Sequence, residues 1–226
     1  PNDERLVSKS VGNNEDNRFL IIANADGTAA RAVEELGSNQ DKVHVSWSPN
    51  NQIIAYGFTG EPIGGDRQAV VMVGQNQENF KNLIVEGRGF VPNWSPSGQN
   101  ILYSVYNSSD GYRPTLWISG AAGDTINANR RNLNLQTWAD KCVWQSEQIV
   151  YCAVPSNLGT GAGLQRELFT DTQDAIYKID LRSGSLTNLG QPDGAPSVNQ
   201  LVLGPDNRSL FFTDQGSGKL IRYSLE

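Results

Sequence analysis

Hydrophobic and polar positions alternate along this chain in short runs, and one pattern recurs in which a polar turn precedes an apolar strand. Its clear copies are WSPNNQIIAYGF from Trp47, WSPSGQNILYSVY from Trp94 and LGPDNRSLFFTD from Leu203, with PNDERLVSKSV at the start and a degenerate VWQSEQIVYCAV from Val143. The anchor prolines are spaced by 48, 47 and 109 residues, at Pro1, Pro49, Pro96 and Pro205. A period near 50 residues that is built from short strands is typical of a repeated sheet.

Each copy predicts up to four strands separated by turns rich in Gly, Asn, Asp and Ser. We place the five units at 1–36, 43–88, 89–136, 140–190 and 198–226, and we expect the first to lack its first strand and the last its fourth. One such sheet cannot bury both faces alone, so radial stacking is expected. The prediction is an all-β, single-domain β-propeller of four-stranded antiparallel blades, about five of them represented, with incomplete terminal blades.

Aromatic residues recur at fixed places in the repeat. We expect the anchors Trp47, Trp94 and Trp144 to pack between adjacent sheets. We assign the same packing role, at one common repeat position, to Tyr56, Tyr103, Tyr151 and Phe212. The best helical candidate, 29–36, lies where the repeat requires a strand.

Composition excludes some classes of partner. The 226 residues include 18 basic and 24 acidic side chains, which gives a net charge of -6, and no Lys/Arg-rich run indicates a nucleic-acid interface. No apolar run approaches the ~20 residues of a membrane span, so no direct membrane insertion is expected within this segment. The chain opens inside a repeat without an initiator Met, and we interpret it as a fragment of a longer chain.

The two cysteines, Cys142 and Cys152, flank a predicted hairpin that turns at Glu147. In such a hairpin they would face each other at a distance that suits a disulfide. The alternative is a pair of neighbouring buried thiols. A disulfide would indicate a periplasmic or extracellular compartment.

Two motifs support a family resemblance: a WSPSG run at 94–98 that is followed by Ile101 and Tyr103, and an ADG turn at 25–27. They resemble the WD-like repeat of the bacterial TolB β-propeller family, and the resemblance covers nearly the whole chain. It implies the propeller fold, and related propellers serve as periplasmic or surface interaction modules or as non-catalytic lids on prolyl-oligopeptidase-like enzymes. The sequence departs from the pattern at 144–147, where Pro and Gly are absent and the cysteines occur nearby.

The sequence contains little evidence of a catalytic motif. The single histidine, His44, is expected to be a packed structural residue. No G-x-S-x-G elbow occurs, and a pair of carboxylates for glycoside hydrolysis cannot be chosen from sequence. Asp171 and Asp174 lie close together without the ligand ladder of a calcium loop. We therefore expect no catalytic residue, no metal and no cofactor.

The useful functional signal is the length of three predicted connections, 57–68, 107–114 and 155–174, which the propeller arrangement places on one face. The candidate binding residues on that face are Tyr112, Arg113, Arg166, Glu167, Phe169 and Asp171. The alternative is that Leu168 and Phe169 only pack onto their own blade.

These features predict a non-enzymatic module that binds a protein or an envelope polymer. We expect it to be exported, with or without a membrane anchor in an N-terminal segment. The propeller domain of a larger hydrolase and a carbohydrate-binding propeller remain alternatives, and the oligomeric state stays open.

Overall fold

The structure is a computed structural model that describes residues 4–225, apart from the side chain of Pro62. Its strands form five antiparallel sheets that follow one another along the chain, and the anchor Pro1 lies outside the described residues. Sheet 1 contains β1 (Arg5–Val11), β2 (Arg18–Asn24) and β3 (Arg31–Glu35). Sheet 2 contains β4 (Val43–Val45), β5 (Ile53–Pro62), β6 (Gln68–Gly74) and β7 (Leu83–Val85). Sheet 3 contains β8 (Arg88–Trp94), β9 (Asn100–Tyr106), β10 (Thr115–Gly120) and β11 (Arg131–Asn132).

The last two sheets complete the order. Sheet 4 contains β12 (Cys142–Trp144), β13 (Ile149–Pro155), β14 (Asp174–Asp180) and β15 (Ser185–Gly190), and sheet 5 contains β16 (Val202–Leu203), β17 (Ser209–Thr213) and β18 (Leu220–Ser224). Within each sheet, neighbouring strands are consecutive in sequence. Within residues 4–225, five short 3-10 helices connect strands, at Glu15–Asn17, Gly37–Lys42, Gly123–Thr125, Ala139–Lys141 and Arg166–Phe169. Between residues 4 and 225, no helix has the length and hydrophobicity that crossing a membrane requires.

The serine of the WSP motif explains how the repeated turn forms. Ser48 and Ser95 are fully buried. The Ser48 hydroxyl accepts a hydrogen bond from the Ile53 amide at 2.9 Å, and the Ser95 hydroxyl accepts one from the Asn100 amide at 3.2 Å. Each serine hydroxyl therefore provides a hydrogen-bond acceptor for a backbone amide at the start of the next strand, which is a common role of Ser in turns.

The hydrophobic core lies between consecutive sheets. Leu20 and Ile22 of sheet 1 pack against Ile54 of sheet 2, and further clusters join sheet 2 to 3, sheet 3 to 4 and sheet 4 to 5. None of the clusters among residues 4–225 includes both sheet 5 and sheet 1. The sheets therefore stack face to face in sequence order, and the predicted propeller class is confirmed.

The anchor tryptophans pack between sheets as predicted, each against one of these clusters. The prediction of one common position for the other aromatic residues is wrong. Tyr103 and Phe212 face the preceding sheet, whereas Tyr56 and Tyr151 face the following sheet. Tyr151 changes face because the turn before β13 is one residue shorter than the turn before β9, and Tyr56 changes face because of a register irregularity between Ile53 and Ala55. A one-residue shift moves a side chain to the opposite face of a strand.

Cys142 and Cys152 lie directly opposite each other in the pairing of β12 with β13, and they form a disulfide. Both are buried in the cluster between sheets 3 and 4. The hairpin geometry thus produces the predicted cross-link rather than the alternative pair of free thiols.

Two segments are largely strand although their local sequence alone suggests a loop or a helix. The predicted connection 57–68 is mostly strand, because β5 continues to Pro62 and resumes its pairing with β6 there after an irregularity. The true loop between β5 and β6 is only 63–67. The helical candidate 29–36 forms strand β3, as the repeat requires.

Candidate functional site

The loops that connect β5 to β6, β9 to β10 and β13 to β14 emerge at the same end of sheets 2, 3 and 4, which we call the loop face. Hydrogen bonds join them in series. The amide and the hydroxyl of Ser108 donate to the Asp66 carboxylate at 2.9 and 2.8 Å, and the Gly161 amide donates to the Gly111 carbonyl at 2.9 Å. The loops therefore form one connected surface rather than three independent segments.

A cavity of about 560 Å³ opens at the loop face, and we call it the loop-face pocket. It lies between the strand ends of sheets 2 and 3 and the β13–β14 loop. Its lining residues are mainly aromatic and basic: His44, Tyr56, Phe58, Gln68, Arg88, Gly89, Phe90, Val91, Tyr106, Trp138, Gly163 and Arg166. Such a mainly apolar cavity with a few polar groups is typical of a ligand site.

One wall of the loop-face pocket is a packed group of rings. His44 stacks on Tyr56, with ring centroids 5.3 Å apart and planes at 20°. Tyr56 and Phe58 both contact Phe90 edge to face, at 5.2 and 6.5 Å between centroids. Because each ring contacts at least one other, this wall is preorganised.

Tyr106 also lines the loop-face pocket, and two glycines leave space for its ring. A Cβ atom at Gly89 or at Gly163 would overlap the Tyr106 ring, and Gly89 also has a positive φ of 64°. Only glycine permits so close an approach of the backbone to the ring. The Tyr106 ring in turn contacts Tyr112 edge on, at 6.5 Å between centroids.

The basic residues of the loop-face pocket differ in their surroundings. Arg166 donates two hydrogen bonds to Asp140, at 2.6 and 3.0 Å, and its guanidinium lies 4.8 Å from the centre of the Trp138 ring. Arg88 is exposed, and its guanidinium has no hydrogen-bond or ion-pair partner among residues 4–225, although its positive charge helps to lower the pKa of the Asp66 carboxylate on the β5–β6 loop. No Asp or Glu lines the cavity. Arg88 is therefore the group that is available to an anion.

His44 is exposed as a residue but is packed on the rings of the pocket. Partial burial lowers the pKa of the His44 imidazole, and the nearby positive charge of Lys9 lowers the pKa further. The imidazole is accordingly neutral near pH 7.

The far end of the β13–β14 loop is fixed by a buried ion pair. The ammonium of Lys141 lies 2.6 and 2.7 Å from the two carboxylate oxygens of Asp174, and the Val198 amide donates to the same carboxylate at 2.6 Å. The two side chains are 5% and 0% exposed. Burial raises the pKa of Asp174 and lowers the pKa of Lys141, and their mutual attraction partly offsets both shifts. Asp174 thus holds the loop in position.

The candidate binding residues take different positions. Arg113 donates to the Leu158 carbonyl at 2.7 Å, so its guanidinium links two loops. Tyr112 is 39% exposed at the rim, and Glu167 and Asp171 are exposed on the β13–β14 loop. Arg166 lines the loop-face pocket.

Phe169 packs against the small cluster formed by Trp138, Leu158 and Ala162. Leu168 beside it is 73% exposed. Phe169 therefore packs against its own loop, Trp138 and nearby Val91 rather than against the strands of sheet 4, and Leu168 does not pack there.

Sequence reasoning did not bring Arg88, Phe90, Tyr106 and Trp138 together as a site. The sequence-based prediction selected residues in the long connections within each blade. These four residues lie instead at strand ends or in a connection between blades. A usable signal was the RGF run at 88–90, which begins the first strand of its unit at the same end as the long loops.

Comparison with known proteins identifies solved structures with a similar fold. No known family profile matches the sequence, and no curated protein matches it. Among solved structures, TolB from Acinetobacter baumannii has a TM-score of 0.53 at 14% identity, over 99% of this chain and 54% of TolB. The acylaminoacyl peptidase of Pyrococcus horikoshii has a TM-score of 0.59 at 14% identity, over 97% of this chain and 35% of the peptidase.

A third similar structure is the β-propeller domain of the Trilobed protease from Pyrococcus furiosus, with a TM-score of 0.57 at 13% identity. The match covers 97% of this chain and 64% of that one. The chain thus spans about half of TolB, about a third of the acylaminoacyl peptidase and just under two thirds of the Trilobed protease propeller chain. At such identities the likeness extends to the fold alone. Together with the stacked antiparallel sheets, it shows that this chain has the TolB-like β-propeller fold.

Proposed function

We propose that this chain is a non-enzymatic binding module whose loop-face pocket receives an acidic, apolar segment of a partner protein. The observation that carries the proposal is the combination of an aromatic cavity of about 560 Å³ with an unpaired arginine and no carboxylate in its wall. A rigid cavity on a propeller can bind such a segment without forming or breaking a covalent bond.

Charge favours an anionic ligand group at Arg88. The chain as a whole carries a net charge of -6, so a wall with Arg88 and Arg166 and without acidic residues is a local exception. A carboxylate can form a bidentate, charge-assisted pair with an arginine. Arg166 is already held by Asp140, which leaves Arg88 as the anchor and Arg166 as a nearby positive charge.

The surroundings of the pocket favour a protein as the partner. Four large apolar or aromatic residues on the loops of the loop face are solvent-exposed: Ile63 at 36%, Tyr112 at 39%, Leu164 at 56% and Leu168 at 73%. Exposed apolar groups around a preformed cavity are typical of a protein interaction site. A polymer of sugars would instead be expected to use several similar pockets, and the three loops differ in length and composition.

The buried disulfide supports export to a periplasmic or extracellular compartment as part of this proposal. Such bonds persist in oxidising compartments and are rare in the cytosol. The partner would then be a protein of the same compartment.

A selection from a random peptide library displayed on phage tests the proposed function. We expect enriched peptides to share an Asp or Glu close to an aromatic or branched apolar residue, and to compete with each other for one site. The matched control is Arg182→Gln, since Arg182 lies in the β14–β15 turn at the opposite end of sheet 4. Enrichment that is unchanged on an Arg88→Gln protein, or enrichment of basic peptides, would contradict the proposal.

A further inference from the structure

A second cavity, of about 350 Å³, adjoins the loop-face pocket, and we call it the arginine cavity. Gln68 and Arg88 line both cavities, so these two residues separate one from the other. The remaining lining residues come from the end of β5 and from the β5–β6 loop: Gly60, Glu61, Gly65 and Arg67. A segment that reaches Arg88 in the loop-face pocket therefore has space to continue on the other side of that arginine.

The β5–β6 loop holds Arg67 in a defined position. Gly64 and Gly65 have positive φ angles of 82° and 54°, which allow a tight turn. Arg67 folds back over this turn, and its guanidinium donates to two carbonyls of the loop at 2.9 and 3.4 Å. Hydrogen bonds from Ser108 to the Asp66 carboxylate tie the same loop to the next blade. The Arg67 guanidinium is therefore preorganised for a ligand.

The charge of the arginine cavity favours an anion. Arg67 bonds to neutral carbonyls, and it has no ion-pair partner among residues 4–225. Within the same range, Glu61 is the one carboxylate in the cavity lining, against the guanidinium groups of Arg67 and Arg88. Asp66 lines a different cavity, on the side of the loop where Ser108 binds it. The arginine cavity therefore carries a net positive charge that a carboxylate can offset.

We propose that the arginine cavity is a second subsite of the loop-face pocket and takes a second acidic residue of the bound segment. This inference rests on the proposed function, because it requires the first acidic residue to bind Arg88. The second carboxylate pairs with Arg67. A cavity of about 350 Å³ is about 9 Å across if it is nearly spherical, and an extended chain rises about 3.3 Å per residue. The two acidic residues should therefore lie within about three positions of each other.

The exposure of the arginine cavity limits the gain in affinity. Arg67 and Glu61 are both exposed, and ion pairs in contact with water contribute little. We therefore expect the second acidic residue to strengthen binding by about twofold to fivefold at low salt. Most of this gain should disappear at high ionic strength, because salt screens exposed charges.

The test compares two peptides by calorimetry. One is a peptide selected on the loop-face pocket with a single acidic residue, and the other has Glu in place of a neutral residue within three positions of it. The measured quantity is the ratio of the two affinities. Loosening of the β5–β6 loop would weaken both peptides alike, so the ratio reports the second carboxylate alone.

We expect an affinity ratio of about two to five on the wild type and about one on Arg67→Gln. Glu61→Gln should raise the ratio, because it removes the competing carboxylate and leaves the hydrogen bonds of Arg67 in place. The control variant Arg182→Gln, at the opposite end of sheet 4, should keep the wild-type ratio.

The possible failures are distinguishable. A ratio near one on the wild type, a ratio that Arg67→Gln leaves unchanged, or one that Glu61→Gln fails to raise would overturn the second subsite and leave the proposed function intact. If Arg88→Gln leaves the affinity for the singly acidic peptide unchanged, the proposed function fails and the second subsite fails with it.

Discussion

Reduction of the Cys142–Cys152 disulfide should lower the free energy of unfolding by an amount that depends on the number of residues between the two cysteines. The bond closes a segment of 10 residues between β12 and β13. In the chain-entropy description, opening a loop of this length restores about 9 cal/mol/K to the unfolded chain, which corresponds to about 2.7 kcal/mol at 25 °C. For a domain of this size, the melting temperature should fall by roughly 5–11 °C.

Reduction is a cleaner perturbation than mutation. Both cysteines are buried in the cluster between sheets 3 and 4, so replacing them would also remove packed sulfur atoms. Reduction keeps both side chains in place and removes only the cross-link. The assay is urea unfolding followed by tryptophan fluorescence, with and without a phosphine reductant, together with a thiol count in denaturant that verifies the reduction.

The matched control is the Cys142→Ala/Cys152→Ala protein, whose unfolding midpoint should not respond to the reductant. The reasoning is refuted if the oxidised and reduced wild-type midpoints coincide although the thiol count has risen. In that case the hairpin would be equally constrained without the bond.

Two further predictions concern ionised groups. Lys141→Met should cost about 3–5 kcal/mol in urea unfolding because it leaves the buried Asp174 carboxylate without a cation, and the double variant with Asp174→Leu should recover part of that loss; a double variant less stable than the single one would contradict this. Hydrogen bonds from Ser108 lower the pKa of Asp66, so this carboxylate stabilises the fold above its unfolded pKa of about 3.9 and loses that contribution as pH falls through its folded pKa. The urea midpoint of Asp66→Asn should therefore depend less on pH between about 5 and 2 than that of the wild type, and an equal pH dependence of the two proteins would contradict this.

The fold could be predicted from the sequence because the units repeat a polar turn followed by an apolar strand. The anchor tryptophan and the Ser-Pro turn occur together at Trp47 and Trp94, and the other units keep the turn and strand in altered form, so local turns determine which strands pair. The cysteine pair could be predicted for the same reason, since Cys142 and Cys152 belong to one hairpin.

The candidate site was harder to predict because it depends on distances between units. Arg88 begins β8, whereas Trp138 lies 50 residues later in the connection between β11 and β12, and only the stacking of the sheets brings them to one cavity. Arg113 shows the converse difficulty: its residue type is typical of binding sites, yet its guanidinium bonds to the Leu158 carbonyl. Sequence spacing alone does not distinguish an arginine that links loops from one that is free to bind.

The most direct test of the proposed function is the affinity of a selected acidic peptide for the wild type, Arg88→Gln and Arg182→Gln, measured by calorimetry. We predict that Arg88→Gln weakens binding by about tenfold or more, as expected for the loss of a charge-assisted hydrogen bond, and that Arg182→Gln leaves the affinity unchanged. Equal affinities for all three proteins would contradict the assignment of the loop-face pocket as the binding site.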